Sequence, residues 1–184
     1  FTWFSIKGWD EGKIFRDYQI NFNQWVDGNS EFDVYSKGGN VNAHGTFLNN
    51  WRTGGGIGIN ASGLSVSELR GGPAIYKPAN TNVWLNINSD FRKTVSIGLF
   101  GNIFRNDDDV ESYSFGPEIS YRAFDNLQLS VETEYSKFSD TWAWRGVGAD
   151  SNFNDHYIFS DLDRKTLSME MRADYTVTTN LSIQ

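Results

Sequence analysis

Cysteine is missing from the chain altogether, which removes a disulfide framework and every thiolate metal ligand. Positive charge is scarce: 16 Lys and Arg stand against 23 Asp and Glu, a formal net charge of −7 with a pI near 4.8. A binder of phosphate backbones needs a basic stripe, so no nucleic-acid partner is expected. Long apolar runs are also absent. No stretch approaches the roughly 18 residues of a membrane-spanning helix, and mean hydropathy is −0.50. Proline and methionine are rare, at 3 and 2 residues, while aromatics reach 16% and glycines number 18. Many aromatics and glycines without leucine-rich stretches point to an all-β fold, and to barrels in particular. With 184 residues, one domain over residues 1–184 is expected.

Alternation, not helical spacing, organises the chain. From Ser112 to Arg122, Tyr113, Phe115, Pro117, Ile119 and Tyr121 share one face, opposite Ser114, Gly116, Glu118 and Ser120. Leu127, Leu129, Val131 and Tyr135 likewise oppose Gln128, Ser130, Glu132 and Glu134. Leu167, Met169, Met171, Ala173 and Tyr175 oppose Ser168, Glu170, Arg172 and Asp174, and Val95, Ile97 and Leu99 oppose Ser96, Gly98 and Phe100. Tyr18–Asn23 and Val41–Phe47 alternate less cleanly.

A soluble sandwich alternates too, but three features favour a lipid-facing wall. Leu127 to Arg145 and Tyr157 to Val177 keep a period of two far beyond the usual strand of about 5–6 residues. Charged and small polar residues fill the second face, as in a wet or ion-paired lumen. Aromatics such as Phe47, Trp51, Tyr121 and Tyr175 sit near strand ends, where interfacial girdles lie. Short turns are read at Asp10–Lys13, Leu48–Asn50, Ser89–Arg92, Phe124–Asn126 and Thr178–Asn180. Longer or more acidic connections fall between them, at Asp27–Glu31, Ser62–Ala79, Asn106–Val110 and Gly146–Asp155. That matches short periplasmic turns and longer outer loops.

The fold expected is therefore an all-β, antiparallel up-and-down transmembrane β-barrel. About ten strands are present, and they form part of a larger barrel. Both ends are read as truncated, because an open edge in lipid leaves backbone groups unsatisfied. A barrel is exported, so its signal peptide would lie upstream or have been removed. The bacterial outer membrane of a Gram-negative cell is the expected location, with outer-membrane lipid as surroundings and other outer-membrane or periplasmic proteins as further partners.

One stretch breaks the alternation: Glu68-Leu69-Arg70-Gly71-Gly72-Pro73-Ala74, inside the longest connection. Paired glycines before a proline let a loop turn sharply and approach other groups, and Arg70 could then pair with an acidic lumen. Taken with Asn49-Asn50-Trp51, the glycine-rich Gly54–Gly58 and the run Asn82–Lys93, the Arg70-Gly71-Gly72-Pro73 motif resembles the C-terminal barrel of a Bacteroidota outer-membrane family of unknown function. The resemblance runs from about Asn40 onward. Members of that family carry an N-terminal module similar to family 9 carbohydrate-binding domains. That module is absent from this sequence, so the resemblance implies no sugar binding by it and supplies no catalytic residue.

Counting upward from the turn at Phe124–Asn126 sets Glu118 opposite about Glu132. A charge band across three strands follows: Glu118 and Arg122 on the first, Glu132 and Glu134 on the second, Glu170, Arg172 and Asp174 on the third. Arg122 and Arg172 are expected to bridge these carboxylates, because buried charge needs partners. Phe138, Trp142 and Trp144 form an aromatic series high on one strand, facing the lumen by parity, and offer contact to a ligand or a partner. Catalytic signals are thin: His44 faces the polar side of a strand and His156 sits beside Asp155, with no nucleophile elbow and no paired-histidine metal spacing. Asn106-Asp107-Asp108-Asp109 lacks the glycine and bidentate glutamate of a calcium loop. No cofactor, metal or catalytic residue is expected.

Two functions follow: a conduit or uptake accessory, porin-like, for transport of small molecules or glycans, or a non-conducting structural or assembly scaffold. A barrel hydrolase is the third and weakest reading. The preference for a conduit rests on what such barrels generally do.

Overall fold

The computed structural model describes residues 1–150, 152, 154–178 and 181–183. Among them, every regular element is a strand. In chain order these are β1 (Thr2–Gly8), β2 (Phe15–Gly28), β3 (Val34–Phe47), β4 (Arg52–Asn60), β5 (Gly63–Ser65), β6 (Ile75–Lys77), β7 (Asn80–Asn88), β8 (Val95–Asn106), β9 (Glu111–Phe124), β10 (Leu127–Ala149), β11 (Asp155–Thr178) and β12 (Leu181–Ile183). Ten form one sheet in the order β1-β2-β3-β4-β7-β8-β9-β10-β11-β12, every pair antiparallel. This is an up-and-down meander whose only detour is the separate β5–β6 hairpin. Among the described residues the sheet does not close on itself: β1 pairs with β2 alone, and β12 with β11 alone.

The expected turns fall where the strands reverse, with three adjustments. Gly146–Ala149, read as loop, instead extend β10 to 23 residues. The connection at Ser62–Ala79 is not wholly irregular, because it holds β5 and β6. The turn at Thr178–Asn180 lies largely outside the described residues. Elsewhere the sequence chemistry of reversal is visible. Asn50 adopts a positive φ of 66°, and Asn49 Oδ1 accepts from the Trp51 amide at 3.1 Å, the left-handed tolerance that Asn brings to tight turns.

Alternation sorts the main sheet into two faces. The apolar face is uncovered: Ile97, Ile119, Leu129 and Met169 are 46%, 54%, 39% and 58% exposed. Among the described residues the buried apolar side chains are only Leu69 and Ala143. An ordinary soluble sheet of this width hides one face under helices or a second sheet; here none of the described elements does so. No described helix is long and apolar enough to cross a membrane, which leaves strands as the question.

The long connection, residues 61–79, straps one end of the sheet. Its Gly63 lies against the Tyr35 carbonyl of β3, and its Arg70 reaches Trp144 of β10. On a flat sheet, five strand spacings of ~4.8 Å separate β3 from β10, about 24 Å. Seven residue steps cover that distance only if fully extended, yet residues 67–72 fold into turns. The long side chains of Arg70 and Trp144 make up the rest of the span, and the strap lies on the polar face, where Leu69 meets the same cleft as Phe104 and Asn106.

Candidate functional site

The polar face has two unlike walls. On β2, β3, β4 and β7 it is built of amides. Asn21 donates to Asn42 at 2.8 Å, Asn42 and Asn23 both donate to Asn40 Oδ1 at 2.9 and 2.8 Å, and Asn60 donates to Asn80 at 3.0 Å. Each Asn offers a donor and an acceptor, so neighbouring strands are stitched side chain to side chain without charge. β4 contributes Gly54 and Gly56 here, and a methyl group on either would strike the His44 ring or the Trp84 indole. Glycine gives those two rings, 5.5 Å apart between centroids, their room.

On β9, β10 and β11 the same face turns acidic. Glu132 stands directly opposite Glu118 on one side and Glu170 on the other. Gly98 lies opposite Glu118, and Asn88 and Arg52 continue the row toward β4. The register expected from counting is thus present, and Arg172 is one row away, opposite Ser130.

The expected bridging is present only within β11. Arg172 Nε donates to Asp174 Oδ1 of its own strand at 2.8 Å. Arg122, opposite Gln128, reaches the Phe91 carbonyl at 3.5 Å. Both arginines sit nearer the short-turn end than the three glutamates, so an acceptor on the same strand or in the turn is their nearer partner. Glu134 lies opposite Ser168, again without a cation. Among the described residues the Glu118–Glu132–Glu170 row has no ion-pair partner. Like charges directly opposite destabilise a sheet, and water is what screens them.

Below this row lies a polar recess of about 320 Å³ between Arg52, Glu118, Arg122 and Gln128. Phe91 lines it, its ring under the Arg52 guanidinium at 4.7 Å. The neighbouring turn is pinned by Asp90, a buried carboxylate that accepts Arg92 Nε at 2.9 Å and Nη2 at 2.8 Å. That bidentate bond holds the Asp90 carboxyl well below the usual carboxylate range.

At the opposite end the strap docks. Arg70 and Gly71 both take positive φ, 48° and 106°, and the turn is closed by Arg70 N to Ser67 O and Gly72 N to Leu69 O, each 3.1 Å. Gly72, just before Pro73, rests against the Tyr157 ring with no room for a methyl group. Arg70 does not meet the acidic row. Its guanidinium lies over the Trp144 ring, 4.1 Å from the centroid.

β10 is bulged twice here, between Asp140 and Ala143 and between Trp144 and Gly146. Each bulge inserts one residue and reverses parity. Ala143 then stands opposite Ser160 and Trp144 opposite Phe159, and both rings meet the strap, Trp144 under Arg70 and Phe159 in one cleft with Leu69. The three aromatics are not one platform. Phe138 lies under Arg164 at 5.7 Å, Trp144 under Arg70, and Trp142 meets Phe159 edge-on at 5.6 Å.

Trp142 and Phe159 line a cleft of about 460 Å³ closed from above by Leu69 and Tyr76 of the strap. Counting residues could not have found it, because it depends on where the strap lands. His156 pairs with Asp150, not Asp155, at 3.3 Å. In the Asn106 loop, Asn106 Oδ1 accepts the amides of Asp108 and Val110 at 3.0 and 2.8 Å. Among the described residues no cluster has the ligands of a metal site.

A family described as "Domain of unknown function (DUF5916)" matches residues 2–184, nearly the whole chain and more than the stretch from Asn40 onward. No curated protein and no solved structure matches.

Proposed function

The chain belongs to the DUF5916 family, and from that membership and this geometry we propose that it forms part of the wall of an outer-membrane β-barrel. The barrel acts as a conduit or uptake accessory for small molecules or glycans, in the outer membrane of a Bacteroidota cell. The observation that carries the reading is the uncovered apolar face, ten strands wide, backed by a polar face on which the strap lies. Lipid is the solvent in which such a face is stable. Further strands, pairing with the free edges of β1 and β12, close the larger barrel.

The glutamate row favours a wet lumen over a salt-bridged plug. Three facing carboxylates without cations require water between them, and rings of Asp and Glu favour cations in pores. The strap supports the second reading, a scaffold whose lumen is obstructed, because it crosses the polar face from β3 to β10. Planar bilayers discriminate the two. The full-length protein as conduit gives discrete conductance steps and a reversal potential in a KCl gradient that reports K⁺ preference. Folded, inserted protein without conductance assigns the scaffold role instead. Orientation is checked in intact cells with single cysteines at Asp108 and Asn126 and an impermeant thiol reagent. The conduit reading expects labelling at Asp108 alone.

A further inference from the structure

We infer that the cleft between the strap and the upper ends of β8, β10 and β11 is a binding subsite for a neutral sugar. The inference rests on the uptake reading in setting this cleft at the barrel mouth. Its rings converge from four separate segments: Tyr76 from β6, Phe104 from β8, Trp142 from β10 and Phe159 from β11. Trp142 is fixed edge-on against Phe159 yet remains 58% exposed, so its ring is oriented and still accessible. The volume of about 460 Å³ falls in the range of small-molecule sites, roughly 300–1,000 Å³.

The polar groups narrow the ligand. Glu68, Asp108 and Asp140 line the cleft, and their charge repels phosphates and carboxylates. One Asp140 oxygen accepts the Trp142 amide at 2.8 Å, and Glu68 is taken by Lys77. The Asp108 carboxylate has no hydrogen-bond partner among the described residues; its backbone alone is used, the amide donating to Asn106 Oδ1 at 3.0 Å and the carbonyl accepting from the Thr141 hydroxyl at 2.8 Å. A purely apolar ligand would strip water from Asp108 and Asp140 and return nothing. An organic cation would suit the rings and carboxylates, but the Lys77 ammonium lines the same cleft. A pyranose meets all three conditions. Its C–H face lies on Trp142, its hydroxyls donate to Asp108 and Asp140, and one of its oxygens accepts from Lys77.

The test uses the full-length protein refolded in detergent and screened against an array of neutral mono- and oligosaccharides, with choline as cationic probe and sialic acid as anionic probe. Hits are titrated by calorimetry. The expected result is saturable binding of a neutral sugar, abolished by Trp142→Ala, weakened about tenfold by Asp108→Asn and unchanged by Trp9→Ala. Cross-strand register measured by nuclear magnetic resonance confirms that each variant is folded. No neutral sugar bound on the array, binding of choline or sialic acid in place of a sugar, or sugar binding indifferent to Trp142→Ala would each overturn the inference. Binding in detergent requires neither insertion nor conductance, so a failed conductance measurement leaves this result standing, and the reverse also holds.

Discussion

Arg70 lays its guanidinium over the indole of Trp144 at 4.1 Å, tying the strap to β10 across the width of two intervening strands, β8 and β9. Nothing in the sequence pairs these residues. The contact exists because Arg70 and Gly71 turn the strap through positive φ and Gly72 lets it settle on Tyr157.

The strap should therefore loosen when either contact is lost. A cation–π contact of this kind contributes about 0.5–1 kcal/mol at a partly exposed site, so Arg70→Ala weakens docking modestly. Gly72→Val drives a branched side chain into the Tyr157 ring and is expected to release the strap. Limited proteolysis checks this: cleavage between Gly63 and Lys77 rises in the order wild type, Arg70→Ala, Gly72→Val, while the strands stay resistant. Equal cleavage in all three would mean that the strap is held elsewhere.

The exposed apolar face makes a second prediction. Leu129→Arg is expected to cost roughly 2–4 kcal/mol on folding into vesicles if the residue lies near the bilayer midplane. Ser130→Arg, on the opposite face and facing water, should cost far less. Urea midpoints in lipid vesicles measure both. Comparable losses, or a larger loss at Ser130, would contradict a lipid-facing apolar side.

What could be read from the sequence was what obeys a period of two. The faces of β8 to β11, and Glu118 opposite Glu132, follow from alternation and from one tight turn at Asp125 and Asn126. Glu170 and Arg172 could be set only near the height of Glu132; that Glu170 stands directly opposite it depends on the extension of β10 and on its bulges, which alternation does not show. The bulges around Thr141–Trp142 and Arg145 leave no compositional mark, so parity alone does not carry through to the upper end of β10. Arg172 meets one carboxylate of the band, Asp174, while Arg122 meets the Phe91 carbonyl, because alternation gives the face but not the reach of a side chain. The amide wall was legible and missed: Asn21 and Asn23, Asn40 and Asn42, and Asn80, Asn82, Asn86 and Asn88 recur at even spacing. The cleft was not legible, since it depends on the landing point of the strap.

Asp150 gives a pH-dependent signal. Asn154, through its side chain at 3.0 Å and its amide at 2.9 Å, and then the Asn152 amide at 2.8 Å, pull its carboxyl down to about 2 from an ordinary 3.8. His156 adds a bond at 3.3 Å. A carboxylate with a depressed folded-state pKa contributes stability that is complete above its unfolded value and lost as pH falls through the folded value. The hairpin tip should hold at pH 5 and loosen as pH approaches 2. The amide resonances of Asn152 and Asn154 in micelles should titrate with a midpoint near 2, and Asp150→Asn should abolish that titration. A midpoint near 4 would show that these bonds do not hold the ionised form.

The glutamate row yields the prediction that separates a wet lumen from a plugged one. Glu132 faces a like charge on both sides, and a directly opposed like pair costs a sheet on the order of 0.2–1 kcal/mol. Removing the central charge relieves both pairs at once, so Glu132→Gln should raise the denaturant midpoint. Arg172→Ala has the opposite sign. It leaves Asp174 without its 2.8 Å partner, but that pair is partly exposed, and exposed ion pairs are worth about 0–1 kcal/mol, so the loss should be small. Salt sharpens the comparison. In a hydrated lumen mobile ions screen the row, the wild-type midpoint climbs between low and high ionic strength, and Glu132→Gln responds less because its repulsion is already gone. In a lumen filled by its own side chains, salt cannot enter, and Glu132→Gln would lower the midpoint by breaking a buried network. A rise for Glu132→Gln together with a blunted salt response supports the conduit, and the K⁺ preference of its conductance should fall with the same substitution. A fall in midpoint would return the lumen to the scaffold reading.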